Sequence, residues 1–150
     1  MLNLLQILAR ERQEKIIALR RHFHAHPELS FLEFETTRRV AQELTALGYE
    51  NLRIGTAGKE TGVVAELNPH KSGPCFALRA DMDALRMKED SQAPYKSQNP
   101  EAMHSCGHDA HTAILLGAAA ILRDVADDLP GRVRFIFQPS EESPYQSGAR

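Results

Sequence analysis

The residues from Met103 to His111, in the order Met-His-Ser-Cys-Gly-His-Asp-Ala-His, place His104, Cys106, His108, Asp109 and His111 at the start of an apolar run. Thiolate, imidazole and carboxylate are the ligands that zinc and other borderline-soft divalent cations take, so this density of donor types is a metal-site hypothesis on its own. Gly107 permits a tight turn between Cys106 and His108, which lets thiol and imidazole aim at one point. Two acidic clusters accompany it, Arg79-Ala80-Asp81-Met82-Asp83 and Gln138-Pro139-Ser140-Glu141-Glu142, each directly after a strand-like segment. Adjacent glutamates in a loop diverge, so one can bind a cation while the other reaches water as a general base. Asp81 and Asp83, two apart on an extended segment, share a side and could orient ligands or hydrogen-bond a ligating histidine.

Each of these residues also has a structural reading. Cys106 alone reads as an inert thiol, the glutamate pair as a solvated face, and Asp81 with Asp83 as a turn and a helix cap. His22, His24 and His26 lie beside Pro27 at a helix end, where the structural reading leads. Convergence is what separates the two readings, because a metal site needs ligands from several segments.

The elements that would bring the clusters together follow from periodicity. Leu5, Leu8, Ile16, Leu19 and Phe23 recur near helical spacing among charges, which predicts one amphipathic helix from Leu4 through Phe23, ended by Pro27. Ser30-Phe31-Leu32-Glu33 reads as a capping box for a second helix carrying Phe34, Val40, Leu44 and Leu47, with Gly48 just past its end. Three β-branched or aromatic-rich runs, 61–67, 75–80 and 132–138, are bounded by Gly, Pro and Asn and predict strands. A third helix, from about Ala110 to Asp124, is apolar over most of its circumference and should be buried. Helices alternating with strands point to an α/β layered sheet with flanking helices. In such sheets ligands bind beyond the carboxyl ends of the strands, where all three clusters fall. Residues 84–103 form a polar connection holding Pro94 and Pro100, and a loop of that length is usually functional or mobile.

Composition excludes several classes. The chain has 150 residues, 42% hydrophobic and 25% charged, with net charge -2. That length suits one domain burying roughly two thirds of the surface its unfolded form exposes. No basic face for nucleic acid exists, and the disordered signature is missing. Cys75 and Cys106 are too few for a disulfide framework, which suggests a reducing compartment. The N-terminus lacks a basic n-region, and no stretch holds about 18 uncharged apolar residues, so a cytoplasmic protein without a membrane partner is expected.

The series Arg21…His24…Pro27-Glu28-Leu29, Leu78-Arg79-Ala80-Asp81-Met82-Asp83-Ala84-Leu85, Met103 to His111, and Phe137-Gln138-Pro139-Ser140-Glu141-Glu142…Gly148-Ala149 resembles the amidohydrolase branch of the dinuclear metallopeptidases. Its members include hippurate hydrolases, N-acyl-amino-acid amidohydrolases and indole-acetyl-amino-acid hydrolases. The resemblance implies the N-terminal portion of a zinc-peptidase-like catalytic domain. It implies that Cys106 bridges two divalent metals, zinc or manganese, that His108 binds one of them, and that Glu142 is a further ligand with Glu141 as general base. The implied reaction is hydrolysis of the amide bond of a small N-acyl amino acid, in which the metals polarise the carbonyl and acidify the attacking water. Two positions depart from the family pattern: Arg86 stands where proline is usual, and Pro100-Glu101-Ala102 where glycine is common.

The resemblance further implies a lid or dimerisation domain and a C-terminal part, with more histidine ligands, outside these residues. Residues 1–150 would then be an incomplete catalytic domain with exposed apolar strand edges and a tendency to form homo-oligomers. Competing expectations are a noncatalytic fragment or self-associating module, a structural zinc module closed by His104, Cys106, His108 and His111, and a thiol hydrolase built on Cys106.

Overall fold

Alternation in two runs sets the core. In the computed structural model, which describes residues 2–56, 58–143 and 147–148, β2 (Val63–Leu67) and β4 (Arg132–Gln138) bury every second residue. β1 (Arg53–Ile54), β2, β4 and β3 (Cys75–Asp81) form one sheet in the order β1-β2-β4-β3. β2 is antiparallel to both neighbours, whereas β3 and β4 are parallel. Val63, Ala65, Phe135 and Phe137 turn toward the helices and meet Leu19, Phe23, Val40, Leu44, Leu116 and Ala119 in one cluster. The opposite face carries the cross-strand ion pair Glu66–Arg134. The mixed α/β layering agrees with the sequence expectation.

The predicted strands at 61–67, 75–80 and 132–138 are present; β1 was missed because two exposed residues carry no periodic signal. The predicted single helix is two, α1 (Leu2–Glu11) and α2 (Gln13–Ala25), parted at Arg12, whose guanidinium pairs with Asp124. The reason lies in packing: α1 buries none of its residues, whereas α2 buries Leu19 and Phe23. α3 (Phe34–Ala46) ends as expected at Gly48. Gly48 takes φ +80°, donates to the Thr45 carbonyl at 2.9 Å, and lets Tyr49 N–H reach the Leu44 carbonyl at 3.0 Å, satisfying the last orphan acceptors.

The capping box does not form. Glu28 caps α3 instead, accepting from Glu35 N–H at 3.1 Å and Thr36 N–H at 2.8 Å, while Ser30 and Glu33 are diverted to the ends of β3 and β4. α4 (His108–Asp124) buries Ala113, Leu115, Leu116 and Ala119, though Ile114 is exposed. β3 is an edge strand, and Phe76 and Leu78 stay exposed at 63% and 37%. An exposed apolar edge was expected, and it is there. No helix among the described residues is long and apolar enough to cross a membrane.

Phe135 is fully buried at the centre of β4 and meets Tyr49 edge-on, with ring centroids 5.6 Å apart. Phe135→Ala is expected to cost about 3–5 kcal/mol, seen as a lower urea midpoint with an unchanged m-value.

Candidate metal centre

Because β3 and β4 are parallel and Asp81 registers with Gln138, the segments that follow them leave the sheet at the same end. A two-residue bridge, Leu85 with Met103, closes residues 86–102 into a lobe and returns the chain there too. Arg86 and Glu101 pair across the base of this lobe at 3.6 Å. The lobe is pinned rather than loose: Glu89 accepts from Ser97 N–H at 2.6 Å and lies 3.2 Å from His24 Nε2. Tyr95 sits under both Arg20 and Arg21. His24 is buried and also meets Asp109 at 2.7 Å, so its role is structural, tying α2 to α4 and the lobe.

Gly107, at φ +111° and with open space where a Cβ would project, turns the chain into α4. Its carbonyl accepts from Ala110 and His111 N–H. Cys106, His108 and Glu142 thereby bring ligand atoms within 4.8 Å of one another, as do Asp81, His108 and His111. The four residues of the closed zinc module do not converge: His111 joins Asp81, and His104 joins neither group among the described residues. His104 is buried with both ring nitrogens unpartnered, and burial above all holds its pKa down at about 4.

Asp83, 1% exposed, organises the pocket. Its carboxylate accepts from Glu141 N–H at 3.0 Å, Glu142 N–H at 2.9 Å and the Ser30 hydroxyl at 2.6 Å, and lies 3.3 Å from His108 Nδ1. Nδ1 donates to the Asp83 carbonyl at 2.9 Å, which leaves Nε2 for a ligand. Nε2 faces Asp81 Oδ1 at 3.6 Å, Glu142 Oε1 at 3.7 Å and Glu141 Oε2 at 3.8 Å. Burial by itself would lower the His108 pKa, but the hydrogen bond to Asp83 and the charge of Asp81 lift it to about 9. Interaction with Glu142, then burial and the charges of Glu142, Glu141 and Asp81, pushes the Cys106 thiol up. Thiol and imidazole thus both hold protons against a set of carboxylates, an electrostatic demand for positive charge.

Ser140, at φ +53°, makes the turn that aims Glu141 and Glu142. Fully buried Glu33 holds it, accepting from Ser140 N–H at 2.7 Å. The sequence reading placed Asp83 against a histidine of the cluster, in agreement with its 3.3 Å approach to His108 Nδ1, but missed the parts played by Ser30 and Glu33. The signal available was their polarity at positions where a cap alone would suffice. Ala149, quoted among the motif residues, lies outside the described residues.

The model of Peptidase family M20/M25/M40 matches residues 77–150, the stretch holding all three clusters. The chain belongs to this family. The M20 chain is 45% identical over 131 residues to an N-acetyl-L-cysteine deacetylase of Bacillus subtilis, covering 87% of this chain and 31% of that protein. It is 46% identical over 135 residues to an N-acyl-L-amino acid amidohydrolase of Geobacillus stearothermophilus, covering 90% and 36%. Among solved structures it superposes on a dinuclear metal-binding M20 peptidase from Bacillus subtilis with TM-score 0.82 and 42% identity, over 89% of this chain and 36% of that one. The M20 chain therefore spans about a third of the length of the curated relatives it matches.

Asp83→Ala would leave two backbone donors without their acceptor, so a loss of about 3 kcal/mol is expected, together with faster amide exchange at Glu141 and Glu142 than at Leu116. For Glu33, burial raises the folded pKa, which the backbone donors Ser140 and Phe31 only partly oppose. Its contribution to stability is present below the ordinary carboxylate range and is lost as pH rises through the raised folded value. Glu33→Gln keeps the acceptor for Ser140, so its stability relative to the unsubstituted chain should rise from mildly acid to neutral pH in urea titrations; a pH-independent difference would contradict this.

Proposed function

We propose that this chain is the N-terminal part of the catalytic domain of a metal-dependent amidohydrolase that cleaves the amide bond of N-acyl amino acids. The observation that carries the reading is the convergence of Cys106, His108 and Glu142 beside Glu141 at the carboxyl ends of two parallel strands. The donor set fits divalent metals. It combines thiol, imidazole and carboxylate, and Asp81, Glu141 and Glu142 stand within 3.8 Å of His108 Nε2, a negative surround that a cation would neutralise. Cys106, His108 and Glu142 would hold the metal, zinc or manganese, with Cys106 as the bridging residue if a second ion is bound. Such ions supply Lewis-acid polarisation of the amide carbonyl and acidify water.

The protein's own groups do the rest. Glu141, more exposed than Glu142 at 42% against 22% of the side chain, takes the proton of the attacking water and delivers it to the leaving nitrogen. Asp83 fixes the direction of His108 and the backbone of both glutamates. The names of the two bacterial relatives, a deacetylase of N-acetyl-L-cysteine and an N-acyl-L-amino acid amidohydrolase, support the substrate class. The lid and C-terminal part implied by the resemblance lie outside these residues in this reading, which the third of the relatives' length covered by the chain supports. Both cysteines are free, consistent with a thiolate ligand kept reduced in a cytoplasmic setting.

The test is turnover of N-acetyl and N-benzoyl amino acids by the zinc- or manganese-loaded protein. Glu141→Gln should lower kcat by about 10²–10⁴-fold with metal content unchanged. Activity that survives full chelation, or a Gln variant as active as the unsubstituted chain, would sink the proposal.

A further inference from the structure

Arg79 reaches along its own strand rather than across the sheet. Residues two apart on a strand share a face, so Arg79 and Asp81 stand on the same side of β3. The guanidinium extends to the carboxyl end of the strand, where Nε donates to Gln138 Oε1 at 2.8 Å and Nη1 to Asp81 Oδ2 at 3.0 Å. Both acceptors are themselves held. Gln138, the cross-strand partner of Asp81, donates to the Ser147 hydroxyl at 3.2 Å, and Asp81 Oδ1 accepts from His111 Nδ1 at 2.7 Å. The Arg79 side chain is nevertheless 43% exposed. An arginine carries five N–H donors, and these bonds engage two of them. The Nη2 group has no partner among the described residues.

This fixed guanidinium stands one carboxyl group away from the nitrogen that His108 turns to the site. Asp81 Oδ1 lies 3.6 Å from His108 Nε2, and Arg79 holds the other oxygen. An N-acyl amino acid is an anion at neutral pH, and its carboxylate carbon is three bonds from the scissile carbonyl carbon, about 3–4 Å away. A substrate whose amide lies at His108 Nε2 thus carries its acid group within short reach of Arg79. Asp81, Asp83, Glu141 and Glu142 gather around that histidine and repel such an anion, so its acid group needs a cation of its own. A guanidinium takes a carboxylate through two parallel bonds, and little ordering remains to be done where Gln138 and Asp81 already fix the side chain. We propose that Arg79 anchors the substrate's carboxylate, binding the free acid group of an N-acyl amino acid through the N–H groups left over from Gln138 and Asp81. The inference rests on the reading of the chain as part of an N-acyl amino acid amidohydrolase. It gives β3 a part in specificity, with Asp81 and His111 as the support that directs the guanidinium.

The probes are N-acetyl-L-alanine and its uncharged relative N-acetyl-L-alaninamide, titrated into the zinc-loaded protein while the NMR signal of the Arg79 Nε–H group and the zinc content are followed. The unsubstituted chain should bind the acid about 10–100-fold more tightly than the amide, the gain of one charge-assisted pair, and the Nε–H signal should shift with the acid alone. Arg79→Gln should remove the preference, whereas Arg79→Lys, which keeps the charge and loses the fork, should keep an intermediate one. Both probes share the same acyl amide, so general damage to the site weakens both and leaves their ratio where it was. Equal affinities in the unsubstituted chain, or an Nε–H signal unmoved at saturation with the acid, would overturn the inference without recourse to any variant. A preference for the acid that survives in Arg79→Gln would overturn it too, placing the carboxylate on the metal instead. Failure of the protein to take up zinc is a separate outcome, which overturns the functional reading and the inference with it.

Discussion

A single buried carboxylate, Asp83, ties together four stretches of chain that are far apart in sequence. It takes the Ser30 hydroxyl from the approach to α3, two backbone N–H groups from the loop after β4, and a close approach from the His108 ring at the start of α4. A charged oxygen pair removed from water is costly unless nearly every lone pair finds a donor. Here burial pushes the acid upward but the donors from His108, Ser30, Glu142 and Glu141 outweigh it, holding the pKa at about 2. The cost of burying Asp83 is thus offset only when the glutamate loop and the histidine stand where they do. The geometry of the site is a condition for satisfying Asp83, not a separate achievement of each loop.

Charge balance makes the same centre responsive. Asp81, Asp83, Glu141 and Glu142 gather around one imidazole and one thiol, and the local field favours protons on both. Cation binding and proton release are then linked at the same atoms, since the ligating forms of cysteine and histidine are the deprotonated ones. The surroundings that keep this arrangement rigid are the pinned lobe of residues 86–102, through Glu89 and Tyr95, and the His24–Asp109 contact at the head of α4.

The donor-rich motif was legible because residue types and spacing alone carry it, and β2, β3, β4 and the end of α3 at Gly48 were legible because alternation and turn chemistry are local. Three features were not. The break at Arg12 depends on which helix finds a partner, a property of the packed surface rather than of the periodicity. Ser30 and Glu33 satisfy the pattern of a capping box, yet tertiary partners, Asp83 and Ser140, won their side chains, and Glu28 capped the helix. The pairing of Asp81 with His111 and of Asp83 with the glutamate loop joins positions 30 and 58 residues apart, beyond the reach of any local pattern.

If the site is what its donors suggest, these gathered residues hold divalent metal through Cys106. Equilibrium dialysis of the protein against zinc or manganese, comparing the bound-metal ratio with that of Cys106→Ala, tests it most directly. Bound metal in the unsubstituted chain, lost or greatly weakened in the variant, is the expected result. Tight binding indifferent to Cys106, or no binding by either protein, would contradict it.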